Sequence, residues 1–148
     1  MTRWHRHLPL ILLCSFIVYI TATFVPVFRG INFVNAAQCG NYASVSFSLE
    51  HGVNPDIHGI EGLTAMMCAA RHGDSRMVAL LLSHGAKPDR GLMSAVAGNH
   101  PNILRQLLNT GATTHAKRAV ALEYALHDGK PDCAKVLTNN NSDNLARQ

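Results

Sequence analysis

The sequence predicts an all-α solenoid of about four helix-turn-helix repeats, and three observations carry that prediction. Glycines recur at one interval: Gly40 and Gly73 are 33 residues apart, and so are Gly52 and Gly85. The apolar residues between them keep a helical spacing, with Met77, Val78, Leu81 and Leu82 at i, i+1, i+4 and i+5. Helix signals flank them, with Thr64 and Asp74 at candidate starts and Gly73 and Gly85 at candidate stops. Helices this short are marginal alone in water, so each pair needs a neighbour of its own kind.

The elements follow in chain order. Residues 1–7 form a basic flank with Arg3, His5, Arg6 and His7. Leu8 to Phe28 is apolar for 21 residues, interrupted only by Ser15, Thr21 and Thr23. A membrane-spanning helix needs about 20 apolar residues and a cleaved signal core about 7–15. The segment therefore reads as a transmembrane helix or uncleaved signal anchor, with Pro9 and Pro26 near its ends. It has no polar face, which excludes a buried soluble helix. A cleavage-like Val34-Asn35-Ala36 exists, but cutting there would remove most of the first repeat's opening helix. Arg3, Arg6 and the amino terminus outweigh Arg29, placing the N-terminus in the cytoplasm and the repeats on the non-cytoplasmic side, the periplasm in a bacterium. Arg29 and Gly30 are then almost the whole linker to the repeats.

The repeat region runs from 31 to 137. In the first unit Ala36-Ala37 falls where Ala69-Ala70 falls in the second, Val45 where Val78 falls, and Leu49 where Leu82 falls. The second unit reads Gly-Leu-Thr-Ala-Met-Met-Cys-Ala-Ala-Arg-His-Gly from Gly62 and closes on Leu-Leu-Leu-Ser-His-Gly-Ala. The third runs from Ala95 through His100, Ile103, Leu104, Leu107 and Leu108 to Gly111-Ala112. The fourth runs from Ala121 through Ala125, Gly129 and Cys133 to Leu137. This pattern resembles the ankyrin repeat, whose units carry Gly-x-Thr-Pro-Leu-His-x-Ala-Ala followed by Leu-Leu and a Gly-Ala closing. Ala65 replaces the family's Pro and Met67 its His, which removes the side chain that makes the capping hydrogen bonds there. The first connecting finger spans 12 positions (Gly52 to Thr64), against 5 for the second (Gly85 to Arg90) and 9 for the third (Gly111 to Val120). Only the first finger, around Ile57, His58, Gly59, Ile60 and Glu61, reads as complete. The Asn-rich stretch 138–148 reads as a polar, disordered tail.

Composition removes several functions. Of 13 basic and 9 acidic residues, three Arg and no acid lie in residues 1–29, so the remainder is near neutral. No basic cluster suited to nucleic acid remains. The cysteines show no Cys-x-x-Cys pair, and the nine histidines show no zinc spacing, so no metal is expected. His51 and His84 share one slot, before a closing glycine, where a cation can face free helix carbonyls. No nucleophile elbow, phosphate loop or paired catalytic carboxylates are present, so neither catalysis nor a cofactor is expected.

What remains is surface. In ankyrin-like domains partners lie along the fingers and the exposed side of the opening helices. Carried over by position, the resemblance implies a binding surface of His58 and Glu61 on the finger, Arg71 and His72 on the second unit, and Tyr124, His127 and Asp128 on the fourth. The implied function is binding another protein, itself at a membrane, through the concave face. The alternative is a secreted or periplasmic accessory or inhibitor protein released by signal cleavage.

Overall fold

The computed structural model describes residues 29–145. The anchor segment Leu8–Phe28 lies outside them. Eight helices are present among the described residues: α1 (29–38), α2 (Tyr42–Glu50), α3 (Ala65–His72), α4 (Ser75–Ser83), α5 (Leu92–Ala97), α6 (Pro101–Asn109), α7 (His115–His127) and α8 (Pro131–Leu145). They pair into four units. The first helices of units two to four, α3, α5 and α7, pack side by side as an inner layer, and α4, α6 and α8 form the outer one. No described helix is long and apolar enough to cross a membrane.

Left-handed residues set the register. Each turn between the two helices of a unit carries one, at Gly40, Gly73, Asn99 and Gly129, and units one to three close on another, at Gly52, Gly85 and Gly111. From turn to closing residue the distance is 12 positions in all three units, whereas the step on to the next turn is 21, 14 and 18. Asn takes the third turn because its short side chain tolerates this conformation. Gly98 beside it has an ordinary φ of −75°.

The core is a column of small and branched side chains. Val45, Met66, Met77, Val78, Leu81, Leu92, Val96, Leu104, Leu107 and Ala125 are each fully enclosed. The stripe read in α4 is shifted slightly: Leu80 is buried, while Leu82 only packs at the core's margin. Thr64 and Asp74 cap α3 and α4 as predicted, accepting from Met67 N at 3.3 Å and Met77 N at 2.9 Å.

Three boundaries differ from the sequence reading. Arg29 and Gly30 are already helical, so they are not a linker; Gly30 is buried because Ile57 and the His58 carbonyl press on it. α7 starts at His115, replacing the shortened third finger with helix. Its extra residues, Ala116-Lys117-Arg118-Ala119, are strong helix formers, and Val120 stands where Thr64 caps the second unit, so nothing stops the helix there. α8 continues through Leu145, past the Leu137 boundary drawn for the polar tail, because no glycine or proline follows Leu137 to end it.

Candidate functional site

The one complete finger is built from residues 57–64. His58 and Thr64 form an antiparallel bridge, and Gly59 N donates to the Leu63 carbonyl at 2.8 Å. Glu61 and Gly62 at the tip both have positive φ, 64° and 72°. A non-glycine residue holds that conformation only where its surroundings enforce it. Here Gly59 seats against Val34 of α1, where a Cβ would meet the Val34 side chain at 2.8 Å. His58 Nδ1 donates to the Gly62 carbonyl at 2.9 Å, leaving Nε2 to accept from Arg90 of the third unit at 3.2 Å. The finger is thus tied to units on both sides, with Ile60 (63% exposed) and Glu61 presented at its tip.

Arg71 and His72 end α3 and are exposed. His72 Nδ1 donates to the Cys68 carbonyl at 2.9 Å, and the same i−4 contact is made by His51 to Phe47 and by His84 to Leu80. These histidines finish helices by donating from one ring nitrogen. His127 and Asp128 sit at the equivalent end of α7, both exposed, with Asp128 3.0 Å from Lys130. Tyr124 is half-buried and packs against the core.

Apart from half-buried Tyr124, the predicted residues therefore form two groups. His58 and Glu61 lie at the finger end of the inner layer, and Arg71, His72, His127 and Asp128 at the turn end. The eight residues of α3 separate them by roughly 12 Å at 1.5 Å per residue. Between the groups stand apolar residues the sequence reading missed. Met93 on α5 and Val120 on α7 are 36% and 54% exposed. Met93 holds the slot of Met67, so the repeat alignment itself was the signal that could have found it.

A second groove opens where the short loop between units two and three leaves no finger. It encloses about 770 Å³ between Leu82, Ala86, Pro88 and Ala112, with Lys87, Arg90 and Lys117 at its edge. Asp89 beside it is engaged, accepting from Thr114 N at 3.0 Å and pairing with Lys117 at 3.4 Å. No group of three His, Cys, Asp or Glu among the described residues could hold a metal ion. Cys68 and Cys133 are buried and Cys39 is exposed. Burial pushes both buried thiols up from an ordinary value near 9.0; Arg71 opposes this at Cys68 and Lys130 at Cys133.

A family profile described as ankyrin repeats, in three copies, matches residues 33–118, more than half of the chain. The chain belongs to the ankyrin-repeat family. The match ends within α7, so the fourth ankyrin-like unit is completed by the structure. Among curated proteins, an ankyrin repeat-containing protein of Treponema pallidum (strain Nichols) is 36% identical over 55 residues, covering 37% of this chain and 18% of that protein. The chain spans under one fifth of that relative's length. Ankyrin repeats are protein-interaction modules.

Proposed function

We propose that this ankyrin-repeat chain is a membrane-held, non-catalytic adaptor that binds another protein across its finger tip and inner layer. The carrying observation is where exposed large apolar side chains fall. Among the described residues Ile60, Met93 and Val120 lie on the finger and inner helices, with Leu126 apart from them at the end of the stack and Phe47 on an outer helix. Apolar anchors ringed by charges such as Glu61, Arg71 and Asp128 are the composition of an interface core and rim. The tethering segment is Leu8–Phe28, which holds the stack close to the bilayer and favours a partner at the same surface. Its charge bias puts the stack on the non-cytoplasmic side. The cleavage reading is weakened by Phe33 and Val34, which are 1% and 2% exposed; cutting after Ala36 would strip both from the core.

Crosslinked pull-down from native membranes tests the binding surface. Loss of the captured partner in the double variant Ile60→Asp and Met93→Asp, with the stack still folded, is the expected result. Undiminished capture would overturn the surface. Protease protection on sealed membranes, with an epitope after Gln148, tests the tether. Digestion from the cytoplasmic face would reverse the orientation, and release by carbonate washing would remove the anchor.

A further inference from the structure

The register of left-handed turns assigns equivalent positions along the stack. Met66 and Ala70 of α3 face the following unit: a Cβ at Gly91 would stand 3.1 Å from Met66 and 3.3 Å from Ala70. Their equivalents in α5, Leu92 and Val96, are both 0% exposed. Their equivalents in α7 are Leu122 and Leu126, and no unit follows among the described residues. Leu122 is half-buried, and Leu126 is 66% exposed. Backbone carbonyls repeat the pattern. Arg71 O accepts from His100 Nε2 at 3.0 Å and Ala97 O accepts from Lys130 Nζ at 2.6 Å. The equivalent carbonyl, His127 O, accepts from no donor among the described residues.

The opposite end of the stack is different. The slot filled by Ala65, Gly91 and Ala121, all buried, is held in α1 by exposed Asn32. A polar outer face is what a solenoid needs where stacking stops. The first unit places polar Asn32 at that slot, whereas the fourth presents Leu126.

We propose that the face of the fourth unit left uncovered among the described residues is where two copies of this chain meet, tail to tail, with Leu122 and Leu126 of each at the centre. Continuity with the α3–α5 and α5–α7 contacts assigns the face as a docking surface. The polar Asn32 end selects the geometry. A head-to-tail stack would set Leu126 against Asn32 and propagate into filaments, whereas an isologous pair matches apolar to apolar and closes on itself. The dimer leaves the finger tip free, so this association and the partner surface proposed above are separable.

Sedimentation of the full chain in detergent micelles tests it. Wild type is expected at twice the protomer mass and Leu126→Glu at the protomer mass, with unchanged helical circular dichroism. Leu126→Ala, a milder change at an exposed position, is expected to dissociate at higher concentration than wild type. With Cys14 and Cys39 replaced by Ser, Leu126→Cys should give dimers with a short bismaleimide, and Asn32→Cys should not. A monomeric wild type, a dimer that survives Leu126→Glu, or crosslinks joining position 126 to position 32 in mixed samples would each overturn the proposal.

Discussion

Units one and two solve the start of their second helix differently from units three and four. Asn41 and Asp74 cap their own helices, accepting from Ser44 N at 3.1 Å and Met77 N at 2.9 Å. The equivalent residues, His100 and Lys130, instead reach back to carbonyls of the preceding unit. Pro101 and Pro131 follow them at the first helical position, where a missing N–H costs nothing and φ is already set. The difference tracks the loops. A full finger joins the first two units through Ile57, Gly59 and Val34, and where the loops shorten, a side chain at the opposite end of the inner layer makes the inter-unit bond. One position serves either the helix it starts or the unit before it.

The largest test of this contrast is in the core. Leu81→Ala should cost about 2–5 kcal/mol, the usual range for a fully buried Leu. Its equivalent Leu107→Ala should cost the same if both halves fold as one cooperative body, as urea melts would read. A biphasic melt in either variant would divide the stack at the short loop.

The turn glycines come next. Backbone conformation alone predicts a penalty for Ala at Gly73, where φ is 75°, and none at Gly98, whose neighbour Asn99 takes the left-handed place. The backbone assignment holds, but the tolerance at Gly98 does not. A Cβ there would run into the Arg71 carbonyl oxygen and the His100 ring. Gly98→Ala should therefore cost about 1–3 kcal/mol, as overpacking does, and at least as much as Gly73→Ala. Thermal melts of the two variants decide it.

Smaller effects separate caps from inter-unit bonds. Asp74→Ala should cost about 1 kcal/mol, felt first in α4. Lys130→Met should cost about as much, roughly 0.5–1.5 kcal/mol for a net hydrogen bond, but felt in α5 and α7 together. Hydrogen exchange resolved by helix would show the difference, and protection lost only in α8 on Lys130→Met would end the inter-unit account.

The smallest effect is alkaline. Cys68 and Cys133 ionise above the ordinary value near 9.0 because burial disfavours the thiolate. The unfolded chain loses those protons first. The stabilisation is therefore complete below about pH 9 and falls as pH rises through the folded-state values. Urea midpoints from pH 8 to 10 should decline less in the double variant Cys68→Ala and Cys133→Ala. In native protein iodoacetamide should reach Cys39 and spare both buried thiols.

Repeat length, helix pairing and the Thr64 and Asp74 caps were legible because each depends on residues close in sequence. What was missed depended on neighbours in space. Gly30 looks like a linker until Ile57 packs on it, and Gly98 looks free until the Arg71 carbonyl stands over it. Tyr124 read as surface and is half-buried for the same reason. The site was read as one face, but its named residues fall at the two ends of the inner layer, with Met93 and Val120 between them.

The constant step of 12 residues from each helix turn to each closing residue, beside steps of 21, 14 and 18 onward, shows where this chain can change length. The outer helix is metrically fixed, because a residue gained or lost there would rotate its buried stripe by about 100° and expose the core. The segment after each closing glycine has no such constraint. New sequence placed after Lys87 would leave every helix in register, so grafting sites and recognition diversity both belong to that edge of the stack.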